Sequence, residues 1–303
     1  MKNKMTLLAL LLLGSITFYS CDSTDRSARQ QAKVEETEPA VAAPDFNADS
    51  AYNFVAKQVA FGPRVPNTAP HVATGDWIIS KLREYGFEVN VQSFEMQAYD
   101  GTSLKLRNII ASYNPNVGKR VLLAAHWDTR HLADRDDENQ DQPIDGANDG
   151  ASGVGVLLEI ARTIHEAQVK PGVGVDMILF DGEDYGQPDD SDLPYKEDSW
   201  ALGAQYWSKN KHNPNYRAQY GILLDMVGAE NAKFAREGVS MQYAKSIVDK
   251  VWKAGNRIGY SDYFRYAKAP GITDDHSYVN EFAKIPMIDI VEYNMSGLSL
   301  IHI

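Results

Sequence analysis

Val173-Gly-Val-Asp-Met-Ile-Leu-Phe-Asp-Gly-Glu-Asp184 is an apolar run that stops abruptly in acidic residues. Such a run, bounded by polar residues, fits a strand buried on both faces. The pattern recurs along the chain. Val121–Ala125 ends in His126-Trp-Asp128, Tyr220–Leu224 ends in Asp225, and Pro286–Val291 is a fourth run. Helical patterns lie between them at about Gly153–Glu166, Trp200–Lys209 and Met241–Gly255. Strands alternating with amphipathic helices predict an α/β fold, a single domain with a largely parallel central sheet and helices on both faces. In that architecture the residues just past the strand C-termini share one crevice. Here those residues are acids and a histidine.

Upstream, Asp49 or Ser50 is read as the cap of a helix through about Ala60, with Tyr52, Val55, Ala56 and Val59 on one face. Phe61-Gly-Pro-Arg-Val-Pro66 must be loop, because two prolines and a glycine break any regular pattern. A second helix fits Pro70 to Tyr85 and stops at Gly86, a favourable residue just past a helix end. Phe87–Phe94 alternates as a half-buried strand does, and Leu106–Tyr113 reads as another strand. No internal repeat is visible.

The 303 residues are 44% hydrophobic and 23% charged, which excludes a disordered chain, a collagen-like repeat and a small disulfide scaffold. Acidic residues outnumber basic ones 41 to 30, a net charge of −11 whose field repels phosphate, so no nucleic-acid partner is expected. Cys21 is the single cysteine, so no internal disulfide is expected. Met1–Ser20 has a positive start at Lys2 and Lys4 and an apolar stretch at Leu7–Leu13, the signature of a targeting segment. Ending at Cys21, it resembles a bacterial lipoprotein signal. The expected protein is exported and held on the periplasmic or cell-surface side of a membrane through lipidated Cys21. Residues 21–44 then read as a flexible tether, poor in large apolar residues, and 45–293 as the catalytic domain.

The chemistry rests on His126, Asp149, Glu183, Asp184, Asp225 and the cluster Asp274-Asp275-His276. Asp149 lies in Asp145-Gly-Ala-Asn-Asp-Gly-Ala-Ser-Gly153, where small residues let the backbone approach closely. Oxygen and nitrogen donors from separate strand ends suit a divalent metal, most readily zinc. The Glu183-Asp184 pair permits one carboxylate to bind the metal while its neighbour accepts a proton. Any one of these acids alone reads as loop solvation. Four such groups following four apolar runs read as a metallohydrolase-like site. The acidic stretches Asp134–Asp141 and Asp189–Asp198 read as solvated loops. Trp127, Trp200 and Trp207 are pocket candidates, although the spacing of the last two is also that of a helix core. Thr129 and Arg130 suggest no role.

His126-x-Asp128, Asp149-Gly-Ala-Ser-Gly, Phe180-Asp-Gly-Glu-Asp184, Leu224-Asp225-Met and Asp274-Asp-His276, in this order, resemble the zinc exopeptidase superfamily. Phe61-Gly-Pro-Arg-Val-Pro66, Asn108-Ile-Ile-Ala and the Leu-Leu-Asp-Met-Val-Gly-Ala run ending at Ala229 narrow the resemblance. They are similar to the animal-type glutaminyl-peptide cyclotransferases, which also occur in Bacteroidetes-like bacteria. The likeness extends from about Tyr52 to Tyr293. It implies cyclisation of an N-terminal glutamine of peptides or proteins to pyroglutamate, with release of ammonia. Asp149 and Asp184 are the implied ligands of one zinc, Asp184 standing where the family more often has glutamate. Glu183 is the implied general acid and base, with Asp225 and Asp274 in a hydrogen-bonded network beside it.

One ligand expected from the resemblance is a histidine past the last core strand, in a Trp-His context. The tail Asn294–Ile303 does not match that pattern and resembles translated adapter read-through, so His302 is not expected to supply it, and weak zinc binding or none is expected of the chain as written. Two other readings remain open at this stage. One is a two-metal aminopeptidase in which His126 and Asp225 are further ligands; the other is a surface binding protein without catalysis.

Overall fold

The computed structural model describes residues 44–292. The segments read as signal, tether and tail, with Cys21 and His302, lie outside them. No helix among the described residues is long and apolar enough to cross a membrane.

Two helices open the domain, α1 (Ala48–Val59) and α2 (Ala69–Glu84). The cap of α1 is Asn47, two or three residues earlier than expected, and its side chain accepts from Ser50 N–H. The face that α1 buries is also not the one its sequence suggests. Ala51, Phe54 and Gln58 face the interior, while Tyr52 is 72% exposed and Ala56 is exposed. Gln58 is tolerated inside because its amide donates to Phe54 O and Ala151 O, both at 3.1 Å. The Tyr52–Val59 stripe instead lines a surface cavity of about 530 Å³.

Strands β1 (Glu88–Gln97) and β2 (Ser103–Tyr113) form an antiparallel hairpin. Next come β3 (Arg120–His126), α3 (Ala151–Glu166), β4 (Gly174–Phe180), α4 (Leu202–Lys209) and β5 (Gly221–Asp225). The chain then runs through β6 (Phe234–Arg236), α5 (Gly238–Arg257), β7 (Phe264–Lys268), α6 (Asp275–Tyr278), a π-helical turn at Val279–Ala283, and β8 (Met287–Val291). The six-stranded sheet has the order β1-β2-β4-β3-β5-β8. Its β4, β3, β5 and β8 are mutually parallel, and β2 joins β4 antiparallel. The predicted parallel sheet is therefore a parallel core with an antiparallel edge. Sequence reading did not foresee the small parallel pair β6–β7.

The apolar runs alternate between two cores, as strands buried on both faces must. Ile109, Ala125, Met177 and Leu179 pack under α1, α2 and α3. Ile110, Ala124, Ile178, Phe180 and Leu223 pack on the other face with Trp207 of α4 and Tyr278 of α6. Trp252 and Val248 of α5 cover Ile288 and Ile290 of β8. Trp127 and Trp207 are both core residues. Trp200 is not, because α4 starts only at Leu202, after Ala201 takes a left-handed φ of 55°.

One charge stands inside β4. Asp176 is fully buried, and the guanidinium of Arg120 meets it with two 2.6 Å hydrogen bonds. Tyr216 and Ser112 hydroxyls donate to it at 2.8 and 2.6 Å. Removing the cation would leave a buried carboxylate without its counter-charge. Arg120→Leu should lower unfolding free energy by about 3–5 kcal/mol in urea titrations. Arg120→Leu with Asp176→Leu should recover part of that loss. A second test concerns acid. Glu237 caps α5, and although burial alone would raise its carboxyl, hydrogen bonding with His276 and the N–H of Ser240 hold it down at about 2. The stabilisation is complete above the unfolded value near 4.3 and disappears as pH falls toward 2. The stability gap between the parent and Glu237→Gln should therefore narrow over that interval.

Candidate active site

The polar groups expected in one crevice do meet at the C-terminal edge of β3, β4 and β5. His126 closes β3 and is buried. Its Nε2 lies 2.9 Å from Asp149 Oδ1 and 3.2 Å from Asp225 Oδ1, the last residue of β5. Donor atoms of these three residues all fall within 4.8 Å of one another. Burial alone would depress His126, but hydrogen bonds with Asp128, Asp149 and Asp225 lift its imidazole well above the usual range.

Close backbone approach brings Asp149 there. A Cβ on Gly150, at φ 32°, would stand 2.8 Å from the His126 ring, and one on Gly153 would stand 2.2 Å from Leu224 O. The small residues of this loop thus let the start of α3 press against β3 and β5. Arg64, fully buried, donates to the carbonyls of Asp145 and, at 2.6 Å, Gly146. Burial lowers its guanidinium to about 10. The side-chain oxygen of Asn148 accepts from Gly228 N–H at 2.7 Å, and Val227 N–H donates to Ser152 Oγ at 3.0 Å. Loop and strand exit are thereby one hydrogen-bonded unit.

Glu183 and Asp184 occupy the turn after β4. Asp128 accepts from both of their backbone N–H groups at 3.1 Å, one on each carboxylate oxygen. Arg130 donates to Asp184 O at 3.0 Å, is paired with Asp134, and lies over the Trp200 ring. Arg130 therefore has a structural task that its sequence position did not disclose. So does Asp134, placed in an acidic stretch read as solvated. Asn108 spans β2, Asp181 N–H and Gly203 O with bonds of 3.0–3.1 Å. The backbone N–H groups of Ala201 and Leu202 bond Glu183 O and Gly182 O, each at 3.0 Å, so the start of α4 is fastened to the same turn.

Asp274 caps α6, and Asp274, Asp275 and His276 are all buried. Burial pushes Glu183 well above the ordinary carboxylate range, and the charges of Asp184, Asp274 and Asp275 add to the shift despite His126. Burial and Asp149 do the same to Asp184, whose Oδ2 has no hydrogen-bond partner. Asp225 is raised to about 6 by burial, against its bond to His126. Asp149 goes the other way: burial would raise it, but the bond to His126, the charge of His126, the Gly150 N–H and the charge of Arg130 together hold it below the usual range. The nearby arginines spend their donors on loop carbonyls and Asp134. Converging carboxylates with an orphaned oxygen and an imidazole make a donor set suited to a divalent cation.

A cavity of about 410 Å³ opens nearby, lined by Trp200, Thr273, Tyr278 and Asp198 among others. Trp200 is thus the one candidate tryptophan found at a cavity wall. Asp198, in the second acidic stretch, accepts from Tyr278 Oη–H at 2.9 Å.

The residues at this edge fall within a known family. The model of Peptidase family M28 matches residues 108–298. A Zn-dependent exopeptidase from Parabacteroides distasonis is 54% identical, with a TM-score of 0.82 over 84% of this chain and 87% of that one. A glutaminyl cyclase from Bacteroides thetaiotaomicron, bound to N-acetylhistamine, is 51% identical, with a TM-score of 0.82 over 85% of this chain and 88% of that one. The glutaminyl-peptide cyclotransferase of Drosophila melanogaster is 29% identical over 57% of this chain, a match that spans 46% of the fly protein. The fold is that of these zinc-exopeptidase-like neighbours. By sequence and by architecture, the chain belongs to peptidase family M28.

Proposed function

We propose that this protein is a zinc-dependent glutaminyl-peptide cyclotransferase acting on peptides or proteins with N-terminal glutamine. The observation that carries this reading is the half-identical Bacteroides thetaiotaomicron glutaminyl cyclase, whose likeness covers 85% of this chain. Asp149 and Asp184 would hold one zinc. Bound there, the ion supplies a Lewis acid for the glutamine γ-carbonyl. Glu183 takes a proton from the substrate's α-amine as that nitrogen attacks the side-chain amide carbon. A C–N bond forms, the bond to the amide nitrogen breaks, and Glu183 returns the proton to the departing ammonia. A carboxyl held in a raised range suits both halves of this transfer. Asp225 and Asp274 would complete the acidic network beside Glu183, and the charge of Asp274 helps to keep its carboxyl raised. The attacking and attacked groups belong to one residue, so confinement supplies much of the rate.

The convergence of His126, Asp149 and Asp225 favours a second reading, a two-metal aminopeptidase. In it Glu183 would activate water and the product would be a free amino acid.

Incubating the zinc-supplemented protein with a Gln-initiated peptide should release ammonia and leave a pyroglutamyl peptide, with one zinc per chain by metal analysis. Two metals and a free amino acid would overturn the cyclase reading. Glu183→Gln should lower kcat by about 10²–10⁴-fold while zinc binding is retained. Export and anchoring through Cys21 belong to the same proposal, supported by the Met1–Ser20 pattern. Metabolic labelling with a radioactive fatty acid in a bacterial host should mark the protein and fail to mark Cys21→Ser.

A further inference from the structure

Behind Asp274 a line of buried polar groups continues into the domain. Asp289 stands in the middle of β8 between Ile288 and Ile290, fully buried, with no hydrogen-bond partner for either carboxylate oxygen. Asp274 Oδ1 accepts from Asp275 N–H, while its Oδ2 is buried without a partner. His276 Nε2 lies 3.1 Å from Glu237 Oε2, and its Nδ1 lies 3.9 Å from Asp289 Oδ2. Glu237 also accepts from the N–H groups of Val239, Ser240 and Ile272 at 2.7, 2.7 and 3.0 Å. So many donors mark Glu237 as an acceptor, which fixes a proton on His276 Nε2 and leaves Nδ1 without a hydrogen bond, since 3.9 Å from Asp289 is too far for one. Donor atoms of Asp274, His276 and Asp289 all lie within 4.8 Å of one another.

Two interior carboxylates this close cannot both stay ionised without a partner, whereas one proton held between them satisfies Asp274 Oδ2 and one of the two Asp289 oxygens. Burial, with the charges of Asp274, Asp225 and Glu237, pushes Asp289 well above the usual carboxylate range, in the same direction. The backbone does not need an aspartate here. The Asp289 N–H bonds Ser240 Oγ at 2.9 Å whatever the side chain, and an aliphatic residue would continue the apolar run. A buried acid in such a strand costs stability that packing does not return.

We propose that Asp289 is a positioning residue, sharing one proton with Asp274 so that Asp274 is held facing Asp225 and Glu183. Its kinetic consequence rests on the cyclase reading. Asp289 touches no substrate and acts only through Asp274.

The test compares the full chain with Asp289→Leu and Asp289→Asn. Asp289→Leu should melt no lower than the parent, because an apolar side chain replaces an unpaired buried acid. Its kcat on the Gln-initiated peptide should nevertheless fall about 10–100-fold with KM unchanged, the usual cost of losing an orienting carboxylate. Asp289→Asn, whose amide can still donate to Asp274, should recover part of the rate. Proton NMR reads the shared proton without turnover, as a far-downfield resonance present in the parent and missing from both variants. An unchanged kcat in Asp289→Leu, melting temperatures that fall in step with kcat, or a parent lacking the resonance would each overturn the proposal. So would loss of one bound metal ion in Asp289→Asn, which would make the cluster a cation site. A parent that forms no pyroglutamate would sink the cyclase reading alone, and the resonance would still decide the role of Asp289.

Discussion

Asp149, Glu183, Asp184, Asp225, Asp274 and Asp275 are gathered around one imidazole at the edge of a parallel sheet, and like charges at that spacing repel. At a separation of 4 Å and an effective dielectric near 20, a single pair repels by about 4 kcal/mol. The rest of the architecture can be understood as resistance to that repulsion. Parallel strands end side by side and leave the acids no room to spread. Their charge is then relieved by protons, by His126, and by a bound cation when one is present. The raised values of Glu183, Asp184 and Asp275, beside the lowered one of Asp149, show the load shared unequally.

The bracing acts on backbone more than on the acids themselves. Asp128 grips two amides of the Glu183 turn, Arg130 grips its carbonyls, and Arg64 grips the loop before Asp149. Placing the cations on carbonyls leaves the field at the centre negative. Such a field draws in a metal ion and a substrate's amino group alike, and it disfavours anionic ligands.

Much of this was legible in the sequence, and the reasons are physical. Strands buried on both faces leave long apolar runs, and the residue that follows each run is placed by the sheet. His126, Glu183, Asp184 and Asp225 could therefore be assigned to one edge before any coordinates. Asp149 was legible through the small residues that let its loop approach. The bracing was not legible, because Arg64, Asp128 and Arg130 act on partners remote in sequence and nothing local distinguishes them from solvated charges. The buried face of α1 was misread for a related reason: Gln58 is inside because of two backbone carbonyls, one of them on α3. Asp289 did leave a trace, an acid inside an apolar run, although its partners come from α6 and the cap of α5.

The tie between the start of α4 and the turn after β4 separates two parts of the chain that would otherwise move together. The bonds from Ala201 and Leu202 to Glu183 and Gly182 close a neck; of the residues beyond it, Tyr185–Pro188 are buried and Asp189–Asp198 are largely exposed beside the Trp200 cavity. Changes within the exposed stretch Asp189–Glu197 reshape that cavity's wall while the neck still holds the backbone of the turn after β4. The fold is in this respect modular, since the exposed stretch can vary in length without altering the strand ends that place Glu183 and Asp184.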